Sequence, residues 1–451
     1  MKSRRKQEMV TVGFVALGCP KNIVDSEKML AEIGESGFVL SGDPDNADVV
    51  VINTCGFIAP AKEEALEAIR QAVRRKKKGR VGRVVVCGCL SERMGEALLE
   101  EVDGIDAVVG LGQRAVIGDI IKDVVAQRGK AEERSRIYLG EGGGGLLDDR
   151  GRLLITPAHW AYLRISEGCD RKCSFCTIPS IRGRFRSKDP EIVLAEAREL
   201  VANGAVELSL IAQDSNYYLR DRGIRGGLVK LIDQLAAIDG LAWIRLMYLY
   251  PATIDDELIA AIAAQPKVVH YVDMPIQHIN DAILKRMRRA DRKDTTIRLI
   301  EKLRAAMPDV VLRTTVITGF PGETEEAFEE LLEFVRWAKF EALGCFPFYA
   351  EPGTHAATLD GQVPQDVRHA RADRLMRMQQ EIAFAAARAR IGQRLQCLVD
   401  ASDEEQAEGR FYGQAPHIDS ICRMQGPAEP GQFVPVRVVD TQDYDLIVSR
   451  I

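Results

Sequence analysis

Apolar residues fall into short runs separated by stretches of helical spacing, and this alternation repeats along most of the chain. Residues 10–17 form a β-branched apolar run that ends at Gly18-Cys19-Pro20-Lys21, and Ile23, Met29, Leu30 and Ile33 then give residues 22–35 a helical period. A second run, 47–52, ends at Asn53-Thr54-Cys55-Gly56 and leads into a charged helix over 59–75. A third, 83–86, ends at Cys87-Gly88-Cys89-Leu90 before a helix that starts at Ser91. Strand and helix in alternation predict a doubly wound parallel sheet, and we place this α/β domain at residues 8–126.

The glycine run 140–145 has polar neighbours and no period, and reads as a linker. It is no phosphate loop, because no strand feeds it and no Lys-Ser/Thr follows. From residue 161 the alternation resumes, with strands at 161–165, 206–211, 242–247, 268–274, 310–317 and 341–346 and helices between them. Six strands with helical crossovers predict an incomplete parallel (β/α)6 barrel over 155–386, with its chemistry at the carboxyl ends of the strands. A long helix, 366–390, ends at Gly392. Short strands at 395–399, 410–413, 418–422, 433–439 and 446–451 then predict a small antiparallel β-barrel over 389–451.

Composition adds three constraints. With 451 residues, 46% hydrophobic and 28% charged, the chain has the make-up of a multi-domain globular protein. No apolar run reaches the roughly 18 residues of a membrane span, and the basic N-terminus leads into a strand rather than a signal segment, so a cytoplasmic location with no membrane partner is expected. Ten cysteines in such a chain point to metal binding or catalysis rather than to disulfides.

The cysteines are not scattered. Cys169, Cys173 and Cys176 stand in Glu167-Gly-Cys-Asp-Arg-Lys-Cys-Ser-Phe-Cys-Thr177, with no fourth ligand nearby to complete a zinc site. Three thiolates on a four-iron cube leave one iron open to a substrate or cofactor. This spacing resembles that of the radical S-adenosylmethionine (SAM) enzymes. Cys19, Cys55 and Cys89 each follow a strand end, and in an open parallel sheet those ends share one rim. Two readings stand side by side for them: a second cluster, or three separate core residues. Cys87, the last residue of its strand, is expected to face the core.

Gly18-Cys-Pro-Lys-Asn-Ile-Val-Asp-Ser-Glu27, Asn53-Thr-Cys-Gly-Phe-Ile58 and Gly88-Cys-Leu-Ser-Glu-Arg93 are similar to the three signatures of the methylthiotransferase N-terminal domain. With the 169–176 motif and a terminal barrel that looks like a TRAM domain, the chain resembles the radical-SAM methylthiotransferases over nearly its full length. Residues 161–186 and 274–288 look most like the branch that modifies a ribosomal-protein aspartate. The resemblance implies two [4Fe-4S] clusters, one on Cys19, Cys55 and Cys89 and one on Cys169, Cys173 and Cys176. It also implies SAM as both radical source and methyl donor, an external electron donor and a sulfur source. The implied reaction places a methylthio group on the β-carbon of an aspartate in small-subunit ribosomal protein S twelve. A radical is needed because that carbon carries no acidic proton for a base to take. The competing enzyme reading is a transfer-RNA adenosine methylthiotransferase, and the competing reading of another class is a non-catalytic iron–sulfur scaffold.

Beyond the cysteines, Phe175, Gln213-Asp214, Gln277, Gly319 and Gly322 fall at or after strand ends and are the candidate SAM contacts. The two glycines are included because they would let backbone approach a ligand. Arg182, Arg184 and Arg186 present planar forks suited to carboxylates or phosphates, or to pairing with acidic helices. Arg184 and His278 are the candidate substrate contacts. Residues 284–289 read as a solvated basic turn. From residue 391 onward five arginines face ten acids. That balance argues against direct RNA binding and for a basic protein partner. Cys345, Cys397 and Cys422 receive no role.

Overall fold

The computed structural model describes residues 9–126, 136–140 and 148–451. The basic residues 1–8 and all of the linker run except Gly140 lie outside them. Two compact units are present. The first gathers the chain up to Ile155 with Glu167–Asp170 and Cys176–Arg186, and the second gathers Thr156–Ser166, Arg171–Phe175 and Ser187–Ile451.

The first unit is built on a parallel sheet ordered Val39–Ser41, Thr11–Ala16, Val49–Thr54, Arg83–Gly88, Ala107–Val109, Ile137–Tyr138. Its central strands are buried on both faces, because successive residues point to opposite sides. Val50, Ile52, Val84 and Val86 pack with the helix Ala59–Lys77 in one core. Val49, Val51, Val85 and Cys87 pack with the helices Pro20–Glu35 and Ile117–Ala126 in another. Cys87 thus faces the core, as its place at a strand end predicts. The doubly wound reading agrees with this arrangement. The three short strands that sequence reading passed over span only two or three residues each.

The second unit contains a six-stranded sheet, all parallel and in chain order: Trp160–Arg164, Glu207–Ile211, Trp243–Leu246, Val268–Asp273, Val311–Thr318, Ala342–Pro347. This is the open barrel that the strand–helix count predicts. The helix Gln365–Arg388 leads into a closed five-stranded barrel of Arg394–Ser402, Gln406–Arg410, Cys422–Gln425, Phe433–Gln442 and Asp445–Arg450. Its pairings are antiparallel except that Cys422–Gln425 runs parallel to Asp445–Arg450. The strands expected at 410–413 and 418–422 are displaced. Residues 411–421 instead form an irregular connection, with Gln414 and Ala415 buried and the Asp419 side chain 8% exposed.

That connection carries the groups that join the small barrel to the floor of the sheet. Arg410 donates to Glu207 (2.6 Å) and to both oxygens of Asp400 (2.6 and 2.9 Å). Arg245 donates to the other Glu207 oxygen and to the Tyr412 carbonyl (2.8 Å each). The Tyr271 hydroxyl donates to Asp419 (2.7 Å), and Arg313 donates to Asp273 (2.7 Å). Burial pushes the Glu207 carboxyl up, but Arg410 and Arg245 more than reverse this and hold it below its usual range. Asp400 is lowered in the same sense, with His159 and Arg410 outweighing burial.

Removing one partner of a buried pair leaves a charge uncompensated. Arg410→Ala is therefore expected to cost roughly 3 kcal/mol, read as a lower urea midpoint, whereas Arg437→Ala, on an exposed side chain, should move it little. Because both carboxyls are depressed in the folded state, their contribution is present at neutral pH and is lost as pH falls through their folded values. The wild-type midpoint should therefore fall in acid, more steeply than that of Arg410→Ala.

Candidate active site

In the first unit the strand order reverses at Thr11–Ala16, whose two neighbours lead away in opposite directions. Ligands of open α/β sheets sit at the carboxyl ends beside such a switch point. Cys19 follows Thr11–Ala16, Cys55 follows Val49–Thr54, and Cys89 follows Arg83–Gly88. The three loops are drawn together by backbone and amide contacts. Gly18 has φ +98°, and a Cβ there would stand 2.9 Å from Cys55 Cβ, so only glycine allows this approach. Asn22 donates to the carbonyls of Leu17 (3.0 Å) and Thr54 (2.9 Å), tying the first loop to the second, and its Oδ1 lies 3.5 Å from Cys89 Sγ. Asn53 donates in turn to the Asn22 carbonyl and the Ser26 hydroxyl.

The three thiols feel one another. Burial raises the Cys55 thiol, and the neighbouring Cys19 adds to the rise. Burial pushes Cys89 up to about 12 against the pull of Arg182, with Cys19 and Cys55 again raising it. As thiolates they therefore need a compensating positive charge, which a bound metal supplies. Among the described residues no three His, Cys, Asp or Glu side chains converge as the ligands of a single ion would. Cube ligands stand further apart, because each binds a different iron, so three thiols around one rim suit a four-iron cluster.

Arg182, on the short helix Ile178–Arg182, closes this group. Its Nη1 donates to both Glu167 oxygens (3.1 Å each). Its Nη2 donates to Asn22 Oδ1 (2.6 Å), Asp25 (3.0 Å) and Cys89 Sγ (3.3 Å). Arg114 pairs with Asp25 from the other side and lies 3.8 Å from Glu167. All four charged side chains are buried. Arg182 is thus an internal cation of the thiol site rather than a fork open to an incoming anion.

The second cysteine motif is held residue by residue. Cys169 N–H donates to the Gly183 carbonyl (3.1 Å), and Ile178 N–H donates to Cys176 Sγ (3.5 Å). Within the second unit, Ser174 is fixed by Met287, Arg286 and Ala356 backbone groups. Burial raises the Cys173 thiol, opposed by Arg289. Arg289 pairs with Asp291 (2.6 Å) and stacks on Tyr250 at 4.4 Å. Arg171 also stacks on Tyr250, at 4.0 Å, and pairs with Asp214 (2.6 Å). This corrects the reading of 284–289 as solvated: Arg289 is buried beside a cysteine. Its signal was the acid two residues later, which supplies the counter-charge.

The other candidates divide. Phe175 packs edge-to-face on Phe320 at a centroid distance of 6.4 Å. Gln213 follows Glu207–Ile211 at the carboxyl rim. Gln277 adopts a left-handed backbone (φ 68°), donates its N–H to the Thr315 carbonyl (2.9 Å) and accepts from the Ile317 N–H (2.8 Å), which sets it opposite Val316. His278 has no exposed side-chain surface and lies 3.2 Å from Glu323, which pairs with Arg371 (2.7 Å). A side chain so enclosed braces the 318–323 turn. Gly319 and Gly322 both have positive φ, and a Cβ at either would meet the side chain of Arg368 or of Arg286. Arg184 is 91% exposed, with Asp170 3.5 Å away. A cavity of about 490 Å³ lies elsewhere, among Val311, Ala342, Gln379 and Phe411 near the amino ends of two strands. It is remote from the rim where the cysteine loop starts.

Residues 11–110 match the uncharacterized protein family UPF0004, residues 163–335 the Radical SAM superfamily, and residues 391–451 the TRAM domain. Among solved structures, the radical S-adenosylmethionine methyltransferase TsrM from Kitasatospora setae, with cobalamin and a [4Fe-4S] cluster bound, shares the fold at a TM-score of 0.55 and 16% identity, over 77% of each chain. Curated relatives are much nearer in sequence. The ribosomal protein uS12 methylthiotransferase RimO of Symbiobacterium thermophilum is 42% identical over 97% of this chain and 90% of its own length. That of Geobacter sulfurreducens is 44% identical over 97% of each. The chain belongs to the family of the ribosomal protein uS12 methylthiotransferases, RimO.

Proposed function

We propose that this protein is a radical-SAM methylthiotransferase that places a methylthio group on the β-carbon of an aspartate in ribosomal protein uS12. The observation that carries the reading is the meeting of Cys19, Cys55 and Cys89 at one rim, in a chain that separately carries the Cys169, Cys173 and Cys176 motif. In this reading residues 8–126 form the auxiliary-cluster domain, 155–386 the radical-SAM core and 389–451 the barrel that meets the substrate. When bound, the two [4Fe-4S] clusters and SAM supply a carbon-centred radical, a sulfur atom and a methyl group.

The chain's own residues do the rest. Each cysteine trio would hold a cluster by three of its irons and leave the fourth free for a ligand. Arg289 stands at Cys173 and Arg182 at Cys89, each giving a buried cation to a thiolate. Arg171, which stacks on Tyr250 as Arg289 does, pins the middle of the cysteine motif to the second unit. Phe175, Gln213 and Gln277 are the groups assigned to SAM, and Arg184, exposed, is assigned to the substrate carboxylate. Gly319 and Gly322 contribute by permitting the turn. Electrons and sulfur come from outside donors.

The substrate reading draws on the charge of the small barrel. Glu408 and Asp445 pair with Arg423, Asp400 pairs with Arg410, and Asp419 lies beside Arg313. Asp403, Glu404, Glu405, Glu429, Asp440 and Asp443 remain exposed, against exposed Arg394, Arg437 and Arg450. The surface is acidic and suits a basic protein better than a polyphosphate chain.

Anaerobic reconstitution is expected to load about eight irons per chain, two cubes of four. Replacing Cys19, Cys55 and Cys89 together by alanine should halve that number while 5′-deoxyadenosine still forms from SAM and reductant. An unchanged iron count in the triple variant would refute the assignment of these cysteines.

Mass spectrometry of a deletion strain tests the substrate. Protein uS12 should lose one methylthio group, and expression of the protein should restore it. If bulk transfer RNA loses the group instead, the substrate is the adenosine of the competing reading.

A further inference from the structure

We infer that Arg182 is a positioning residue for the iron–sulfur group held by Cys19, Cys55 and Cys89, and that its guanidinium raises the reduction potential of that group through the Cys89 sulfur. The inference rests on the two-cluster reading above.

Direction comes first. Glu167 takes Nη1 with both oxygens, while Asn22 and Asp25 take Nη2, so the guanidinium plane is fixed from two sides. In that orientation Nη2 stands 3.3 Å from Cys89 Sγ, within hydrogen-bond reach of sulfur. Asn22, which receives Arg182, also bridges the Cys19 and Cys55 loops through the Leu17 and Thr54 carbonyls. The donor is therefore keyed to the frame that sets all three cysteines.

Charge comes second. Arg182 and Arg114 face Asp25 and Glu167, so the four side chains balance before any thiolate is counted. Each is at most 2% exposed, and neither water nor salt screens them well. An arginine stays protonated in such a place. A cationic donor on a cluster sulfur withdraws electron density and favours the reduced state, one of the levers that set cluster potentials. Neutralising Glu167 alone would not require an amino group on Cys89.

The test uses the full chain with Cys169, Cys173 and Cys176 replaced by alanine, so that the remaining cluster is the N-terminal one. After anaerobic reconstitution its midpoint potential is followed by EPR in a dye-mediated titration. Arg182→Gln is expected to shift the midpoint to more negative values, and Arg182→Lys to keep it nearer the parent. Glu167→Gln removes a counter-charge from Arg182 and is expected to shift it the opposite way. A purely structural role would change iron content or melting and leave the potential in place. Equal potentials in the three variants, or shifts of one sign in Arg182→Gln and Glu167→Gln, would overturn the inference. If Arg182→Gln does not retain its cluster, Glu167→Gln decides: a positive shift supports the inference, and no shift overturns it. If the parent with all three alanines binds no iron, the two-cluster reading falls, and the inference with it.

Discussion

Three sulfur atoms brought to one sheet rim repel one another as soon as they lose their protons, and the first unit is arranged to bear that repulsion. Burial and mutual proximity raise Cys55 and Cys89, so these thiols do not ionise readily by themselves. The loops cannot relax by spreading apart, since Asn22 holds two of them by their carbonyls and Gly18 lets the first lie against Cys55. The sheet order supplies the remainder. A reversal at Thr11–Ala16 opens a crevice between neighbouring loops, and two of the three cysteines begin on either side of it. In the proposed reading a metal cluster would resolve the strain, because positive irons favour the thiolate forms that burial disfavours.

A second set of buried charges does a different task. Glu207 opens its strand, at the end opposite the rim that carries Gln213, and meets Arg245 of the next strand and Arg410 of the small barrel. Such a triad contributes less to net stability than its number of contacts implies, because all three ions are desolvated. Its effect is on register. Arg410 has partners on the small barrel (Asp400) and on the sheet (Glu207), and both sets are satisfied in only one placement of the irregular 411–421 connection. Tyr271 and Arg313 read the same connection through Asp419. The small barrel is thereby fixed to the floor by polar geometry, beside aromatic contacts such as Trp243 against Phe433.

The sequence revealed the sheets because their strands are apolar runs with a plain period, and it revealed the cysteines because the loops after those strands are short. Strand-end position alone left Cys19, Cys55 and Cys89 divided between a cluster and three core residues, since meeting in space depends on a strand order that periodicity does not encode. What stayed hidden were partners set by tertiary contact. Arg182 stood between a fork for an incoming anion and a partner of an acidic helix, and its acids lie at Asp25, on the helix Pro20–Glu35 more than a hundred residues away, and at Glu167. Arg289 sat in a run of basic residues whose others gave it the look of a solvated turn. His278, Gly319 and Gly322 lie at the rim, with Glu323, Arg368 and Arg286 against them. The 410–413 and 418–422 strands failed for a related reason: Phe411, Tyr412 and Ile418 are apolar for docking, not for a pleat.

The acidity of the small barrel needs the structure to be read properly. Counted from sequence, ten acids against five arginines describe a uniformly negative domain. In the fold, Asp400 and Asp419 are spent on the floor contacts, while Glu408 and Asp445 meet Arg423. The surplus that reaches solvent is the run Asp403-Glu404-Glu405 together with the single acids Glu429, Asp440 and Asp443. These exposed acids act as local anchors more than as a long-range field, because at physiological salt a charge is screened within about 8 Å. In the proposed reading they disfavour a phosphate backbone that must lie close along the surface and favour a polypeptide whose lysines and arginines can reach them one at a time.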